Sequence, residues 1–279
     1  SYIAGCVGTS NVLAGMLYRI PIYGTIAHSF IMAHECEMDA FRNYTDTFPD
    51  RCLLLIDTYN TIEAAKGALI IAKELERLDK KMIGVRVDSG DILKLSKEIR
   101  KMFDKAGYTY LKIFASGDLD EYKIEELLKK GAPIDMFGVG TSMGTSRDQP
   151  VLNGNYKLVE VTSRRGEIIP RIKLSQGKKT LPAKKQIYRV YEKGMMSKDI
   201  LALETESITG ELLLEQVIKS GKLVKELPKF RDIRERCKNS LAKLPEEYKK
   251  LVNPPAYKVE LSSRLKKLMN ELTEKYTRS

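Results

Sequence analysis

The chain has 279 residues, 43% of them hydrophobic and 30% charged, enough apolar matter for a sizeable core and too much for a disordered chain. Its net charge is +11. Residues 1–163 hold 20 basic and 22 acidic side chains, whereas residues 164–279 hold 28 and 15, so the basic excess lies entirely in the second part. That asymmetry favours an acidic ligand or partner without separating a phosphate site from a nucleic-acid patch. No apolar run reaches the ~18 residues of a membrane helix, and no basic segment opens a signal peptide. The cysteines Cys6, Cys36, Cys52 and Cys237 show no metal-type spacing. A reducing, cytoplasmic setting away from membranes is the expectation.

In chain order, short β-like runs fall at Tyr2–Cys6, Ile20–Thr25, Leu53–Asp57, Ile83–Asp88, Lys112–Ser116, Met136–Thr141 and Lys157–Thr162. Between them, Glu63–Leu78, Ile92–Phe103 and Glu121–Leu128 carry apolar residues at helical spacing. Strand–helix alternation with short connections predicts parallel βα units. Several runs end in polar, Gly-rich turns: Ile56-Asp57-Thr58, Val87 to Asp91, Ala115 to Asp118, and Gly138 to Thr141. A (β/α) barrel brings all such ends to one mouth, whereas an open doubly wound sheet gathers only those at its switch point. The barrel is the preferred reading, with an α/β domain over residues 1–163.

From residue 164 the pattern changes. Ser163 to Glu167 reads as a turn, and Ile168–Ser175 and Gln186–Glu192 as strands flanking a Lys-rich loop. The β segment is placed at 164–230 and a charged helical segment at 231–279. Asn253-Pro254-Pro255 breaks the first helix. Ser262 or Ser263 caps a last one carrying Leu265, Leu268, Met269 and Leu272. The loop cations Arg171, Lys173, Lys178, Lys179, Lys184 and Lys185 are read as a solvated face, since no aromatic residues interleave them and no nucleic-acid motif appears.

The strand-end loops carry the candidate chemistry. Gly138-Val139-Gly140-Thr141 lets backbone N–H groups turn toward an anion, and Val87-Asp88-Ser89-Gly90-Asp91 and Ser116-Gly117-Asp118 repeat the theme. Asp88 and Asp118 are read as ribose or Mg²⁺ ligands. Asp91 is read as a helix cap, and Asp57 stays open between the two roles. Arg86, two residues before Asp88 on the same strand face, needs an anionic partner in a barrel mouth. His28 lies just past Ile20–Thr25, where an imidazole serves either structure or proton and phosphoryl transfer; His34 is read as structural.

In order along the chain, Gly8-Thr9-Ser10-Asn11-Val12-Leu13-Ala14-Gly15, Gly24-Thr25-Ile26-Ala27-His28-Ser29, Leu54 to Thr61 around Asp57-Thr58-Tyr59-Asn60, Gly84-Val85-Arg86-Val87-Asp88-Ser89-Gly90-Asp91, Ala115 to Glu121 and Phe137 to Thr141 resemble nicotinate phosphoribosyltransferases. Lys173-Leu174-Ser175 and Gly177 to Arg189 resemble the family's segment beyond the barrel.

The resemblance implies an irregular α/β barrel with parallel strands, the C-terminal part of an α/β sandwich domain at 164–230, and C-terminal helices. It implies formation of nicotinate mononucleotide and pyrophosphate from nicotinate and phosphoribosyl pyrophosphate, coupled to ATP hydrolysis through a phosphorylated histidine, here His28. It also implies substrate binding by Thr25, Arg86, Asp88, Ser89, Gly90, Gly117, Asp118, Gly140 and Thr141, with Mg²⁺ at Asp88 and Asp118. A homodimer with shared active sites is a further implication. Asn60 stands where the family often has Asp. The family's N-terminal sandwich segment, its ring-stacking aromatic residue and an Arg-rich motif would precede Ser1, so roughly 100–200 residues, about a domain's worth, are expected upstream or on a separate chain. The isolated chain is expected to be inactive and poorly behaved. A nicotinamide-using enzyme and a non-catalytic subunit of a split enzyme stay open as alternatives, although the Gly8–Val12 motif leans toward nicotinate.

Overall fold

The computed structural model describes residues 1–152, 154, 156–175 and 179–277; Lys178 of the basic loop and Gly177 lie outside them. The chain forms two compact units, the first comprising residues 1–2 and 6–151, the second residues 3–5 and 152–279.

The first unit opens with α1 (Val12–Tyr18), α2 (His28–Met32) and α3 (Glu37–Thr47). Four strands follow, β1 (Leu53–Leu55), β2 (Gly84–Val87), β3 (Lys112–Ala115) and β4 (Met136–Phe137). They are connected by α4 (Thr61–Glu76), α5 (Ile92–Lys105) and α6 (Glu121–Lys129). The helices start where side-chain caps hold free N–H groups: Asn60 accepts from Ile62 and Glu63, Asp91 from Lys94, and Asp120 from Lys123. Asp91 is therefore a cap, as its position predicts.

The four strands are parallel and lie side by side in sequence order. With right-handed crossovers, unreversed order keeps successive helices on one face, as in a barrel wall; doubly wound order reverses at a switch point. Leu54, Leu55, Val85, Val87 and Ile113 of the sheet are buried in one cluster with Ala65, Ala68, Ile71 and Ala72 of α4 and Ile99 and Phe103 of α5. The α4 positions recur at helical spacing, so its apolar stripe is the one that enters the core.

Four of the strand-like runs depart from expectation. Tyr2–Cys6 holds a turn, and Ile20–Thr25 contributes only an isolated parallel bridge between Thr9 and Ile22. Pro21 lacks the N–H a ladder requires, and Gly24 weakens the run further. Lys157–Thr162 contributes β5 (Glu160–Thr162), which belongs to the second unit and pairs antiparallel with β6 (Ile168–Pro170). Met136–Thr141 stops early: Gly138 N–H still bonds Ala115 O at 2.8 Å, after which Gly140 leads into the short helix α7 (Thr141–Gly144).

In the second unit, β7 (Lys185–Glu192) and β8 (Met195–Leu203) form a long antiparallel hairpin. Its turn residues Lys193 and Gly194 both have positive φ, 50° and 81°, the requirement of a two-residue hairpin loop that follows strand twist. β9 (Glu211–Leu212) adds to β7, and β12 (Val259–Leu261) lies parallel to β8. Between them come the small hairpin β10 (Ile218–Lys219) and β11 (Lys222–Leu223) and helix α8 (Phe230–Lys243). The helix α9 (Ser263–Thr277) follows β12 and buries Leu265. Ser262 is its cap, accepting the Leu265 N–H at 3.1 Å.

Across β7 and β8, Arg189 grips Asp199 with two bonds of 2.9 and 2.8 Å, and Tyr257 donates to the same carboxylate at 3.3 Å. Lys185 departs from the expected solvated basic face. It is half-buried and donates to the carbonyls of Leu181, Pro182 and Ala183, so it ties down the preceding loop. Burial lowers its pKa, partly offset by Glu160.

Candidate active site

In a parallel sheet all strand carboxyl ends share one edge. Asp57, Asp88, Gly117, Asp118 and Gly140 therefore stand along the carboxyl edge of β1 to β4, as the strand-end pattern predicts. The carboxylates of Asp57 and Asp88, with Thr25, Arg86, Ser89 and Ser116, form a set of hydrogen bonds across this edge.

Arg86, on β2, is the hub. Its Nε donates to Ser116 Oγ at 2.8 Å, one terminal nitrogen to Thr25 Oγ1 at 2.8 Å, and the other to Asp88 Oδ1 at 2.6 Å. A guanidinium carries five N–H groups, so donors remain for a ligand after these bonds. Ser116 Oγ in turn donates to Asp88 Oδ1. Burial alone would raise the Asp88 pKa; the bonds from Ser116 and Arg86, with the charges of Arg86 and His28, outweigh it and hold the carboxyl below its ordinary range.

Asp57 closes the other side. Its side chain is only 1% exposed. Oδ2 accepts the Asp88 N–H at 3.2 Å and the Ser89 hydroxyl, while Oδ1 is buried without a partner. Asn60 caps α4 in its place, which frees Asp57 for the site.

His28 begins α2 and faces this group. Its Nδ1 lies 3.1 Å from Thr58 Oγ1, and its Nε2 lies 3.9 Å from Asp57 Oδ1 and 3.8 Å from Asp88 Oδ2. The ring is 40% exposed, held on two sides and open on another. His34, by contrast, bonds the Phe30 carbonyl at 2.8 Å and stacks obliquely on the Phe30 ring, a structural role as read.

Gly117, φ +93°, brings its Cα against the Asp88 carbonyl, where a Cβ would lie 1.9 Å from the oxygen. The glycine thus joins the β2 and β3 loops closely, as only glycine can. Asp118 follows with φ 45° and is exposed, its carbonyl accepting from Lys123 Nζ. Gly90, φ +81°, makes the turn after Ser89. Gly140 and Thr141 stand at the β4 end, where no bond to the Arg86–Asp88–His28 group appears among the described residues. Thr58 and Ser116 are the site residues that the pattern of loops does not single out; small hydroxyls flanking strand-end carboxylates are too common to mark themselves.

A histidine between two carboxylates, beside an arginine with donors to spare and glycine loops, stands at the carboxyl edge where parallel α/β sheets build their small-molecule sites. The chain belongs to the nicotinate phosphoribosyltransferase family: the family profile matches residues 4–174, and the profile of the family's C-terminal domain matches residues 207–269. The chain is 37% identical to the nicotinate phosphoribosyltransferase of Bacillus subtilis over 93% of its own length and 58% of that protein's. It is 38% identical to a Mycobacterium tuberculosis nicotinate phosphoribosyltransferase, over 95% and 56%. The crystal structure of human nicotinic acid phosphoribosyltransferase superposes with a TM-score of 0.76 at 27% identity, covering 98% of this chain and 66% of that one. The chain thus spans little more than half the length of its bacterial relatives.

Proposed function

We propose that the protein carrying this chain forms nicotinate mononucleotide and pyrophosphate from nicotinate and phosphoribosyl pyrophosphate, with ATP hydrolysed through a phosphorylated His28. The observation that carries this reading is the placement of His28 Nε2 between the carboxylates of Asp57 and Asp88, 3.9 and 3.8 Å away. Two carboxylates favour the proton on Nε2, which leaves the Nδ1 lone pair to accept from Thr58 at 3.1 Å. That lone pair is the nucleophile. It attacks the γ-phosphorus of ATP, the bond to the β-phosphate oxygen breaks, ADP leaves, and the positive phospho-imidazole is balanced by the carboxylates at Nε2. Attack of water on phosphorus later breaks the N–P bond and restores the neutral ring.

In the transfer itself, the pyridine nitrogen attacks ribose C1 as the bond from C1 to the pyrophosphate oxygen breaks, through an oxocarbenium-like centre. Arg86, with free N–H groups beyond its bonds to Ser116, Thr25 and Asp88, suits the 5′-phosphate or pyrophosphate. Ser89, Gly90, Gly117, Asp118, Gly140 and Thr141 complete the proposed substrate-binding set. Charge and hydrogen-bond positioning supply the rate enhancement.

The carboxylates of Asp88 and Asp118 fit Mg²⁺ that arrives with substrate phosphates, since that ion commonly takes one or two carboxylates and completes its shell with phosphate and water. No cluster of three acidic, His or Cys ligands occurs among the described residues. Bound there, Mg²⁺ would neutralise phosphate charge. A homodimer with shared sites completes the proposal. No helix among the described residues is long and apolar enough to cross a membrane.

The test is the full-length protein with nicotinate and phosphoribosyl pyrophosphate, with and without ATP. His28→Ala should abolish nicotinate-dependent ATP hydrolysis and leave a residual ATP-independent transfer. Unchanged ATP stimulation in that variant ends the His28 assignment. Turnover of nicotinamide in preference to nicotinate ends the substrate assignment.

A further inference from the structure

Two hydroxyls grip Arg86 and have no part in the reaction as described. Ser116 follows β3, where its N–H bonds the Val87 carbonyl at 3.0 Å, and it is only 6% exposed. Gly138 closes over it: a Cβ there would stand 3.3 Å from Ser116 Cβ and 3.0 Å from Phe114 Cζ. Thr25 is half-buried and precedes Ile26, a member of the core. Both residues are thus tied to the framework of the first unit.

The hydroxyl hydrogens set the polarity of the grip. Ser116 has one to give, and it goes to Asp88 Oδ1. Thr25 also has one, and it goes to the Ile26 carbonyl at 3.2 Å. Toward Arg86 each oxygen is therefore an acceptor and nothing else. Ser116 takes the Nε hydrogen and Thr25 a hydrogen of one terminal nitrogen, while Asp88 takes one from the other terminal nitrogen. One N–H is left on each terminal nitrogen, a pair of donors for two phosphate oxygens. Neutral oxygens also leave the positive charge in place, whereas further carboxylates there would cancel the attraction for phosphate.

We infer that Thr25 and Ser116 are positioning residues for Arg86, fixing its guanidinium while leaving its charge and two N–H groups for a phosphate of phosphoribosyl pyrophosphate. The inference rests on the reading of Arg86 as the phosphate ligand. It moves Thr25 from touching substrate to supporting the residue that does. An arginine already held in place loses less side-chain freedom on binding, so removing a tether should weaken substrate binding and spare the chemical step.

The test uses the full-length protein. Calorimetry without nicotinate gives the Kd for phosphoribosyl pyrophosphate, and initial rates give kcat and both KM values. Thr25→Val, similar in shape but lacking the hydroxyl, and Ser116→Ala should each raise Kd and KM for phosphoribosyl pyrophosphate about 5–20-fold, with kcat within about threefold. The KM for nicotinate should stay within about twofold. Thr25→Ser keeps the hydroxyl and should bind phosphoribosyl pyrophosphate within about twofold of the wild type. In an Arg86→Ala background, adding Thr25→Val should change Kd by less than about twofold, because the residue acts through Arg86. A merely structural role would lower kcat and impair both substrates together, and that result overturns the inference. A Thr25→Ser protein as impaired as Thr25→Val also overturns it. Should Arg86→Ala fail to fold, the Thr25→Val and Thr25→Ser pair decides the question. An Arg86→Ala protein with unaltered Kd removes the parent reading and this one with it. Weakened binding in Arg86→Ala beside unaltered binding in Thr25→Val and Ser116→Ala overturns the positioning role alone.

Discussion

Replacing Gly117 by alanine tests how tightly the β2 and β3 loops are joined. The new Cβ would lie 1.9 Å from the Asp88 carbonyl oxygen and 2.9 Å from its carbon. Carbon and oxygen settle at about 3.3 Å at closest, so backbone must retreat by roughly 1.4 Å. Such overpacking costs about 1–3 kcal/mol, and an alanine at φ +93° adds roughly 1–2 kcal/mol of left-handed strain. Together these give about 2–5 kcal/mol, a large share of the ~5–15 kcal/mol by which a domain is stable. Gly107 supplies the control: it is also exposed, with φ +86°, but nothing lies within 4 Å of its Cβ position. Gly107→Ala should carry only the strain. Urea unfolding of the two variants, in the same full-length protein, should show Gly117→Ala less stable by about 1–3 kcal/mol. Its affinity for phosphoribosyl pyrophosphate should fall as well, since Asp88 must move. Equal midpoints for the two variants would refute the close contact.

Three further outcomes are expected. Arg86→Lys places one ammonium where a guanidinium bridges Ser116, Thr25 and Asp88, so kcat/KM for phosphoribosyl pyrophosphate should fall roughly 10–100-fold in initial-rate assays. Asp88 has a folded-state pKa below its ordinary value, so its ionised form contributes stability above the unfolded value, near ~3.9, and that contribution is lost as pH falls through the lower folded value. Acid unfolding monitored by circular dichroism should show Asp88→Asn losing this pH dependence, and an unchanged acid limb contradicts it. Ser262→Ala removes both the α9 cap and the 2.7 Å bond to Glu206, which should destabilise the protein by about 1–2 kcal/mol in denaturant titrations.

The parallel strands β1 to β3 and helices α4 to α6 were legible because each long apolar pattern sits between clear breakers and caps. Tyr2–Cys6 and Ile20–Thr25 misled because a few apolar residues beside a glycine have the composition of a strand, and in the second run Pro21 also withholds an N–H from the ladder. The pairing of Lys157–Thr162 was hidden for a different reason: a three-residue strand does not encode whether its neighbour is parallel. At the site, His28, Arg86 and Asp88 stood out by chemical rarity and strand-end placement. Asp57 did not, since a strand-end carboxylate before a helix reads equally as a cap, and only the Asn60 bonds to Ile62 and Glu63 decide between the two.

The loops of neighbouring strands are joined at this edge by the very side chains assigned to chemistry: Asp57 holds the Asp88 amide, and Arg86 spans Ser116 and Thr25. Framework and reagents are the same atoms. Substitutions here should therefore show strong epistasis, because removing one member shifts the others before any substrate arrives. A series of single variants would assign overlapping losses to each residue, and the sum would exceed the whole. For the same reason, sequence drift at this edge should proceed by paired replacements, with a hydroxyl and its arginine or a carboxylate and its amide partner changing together.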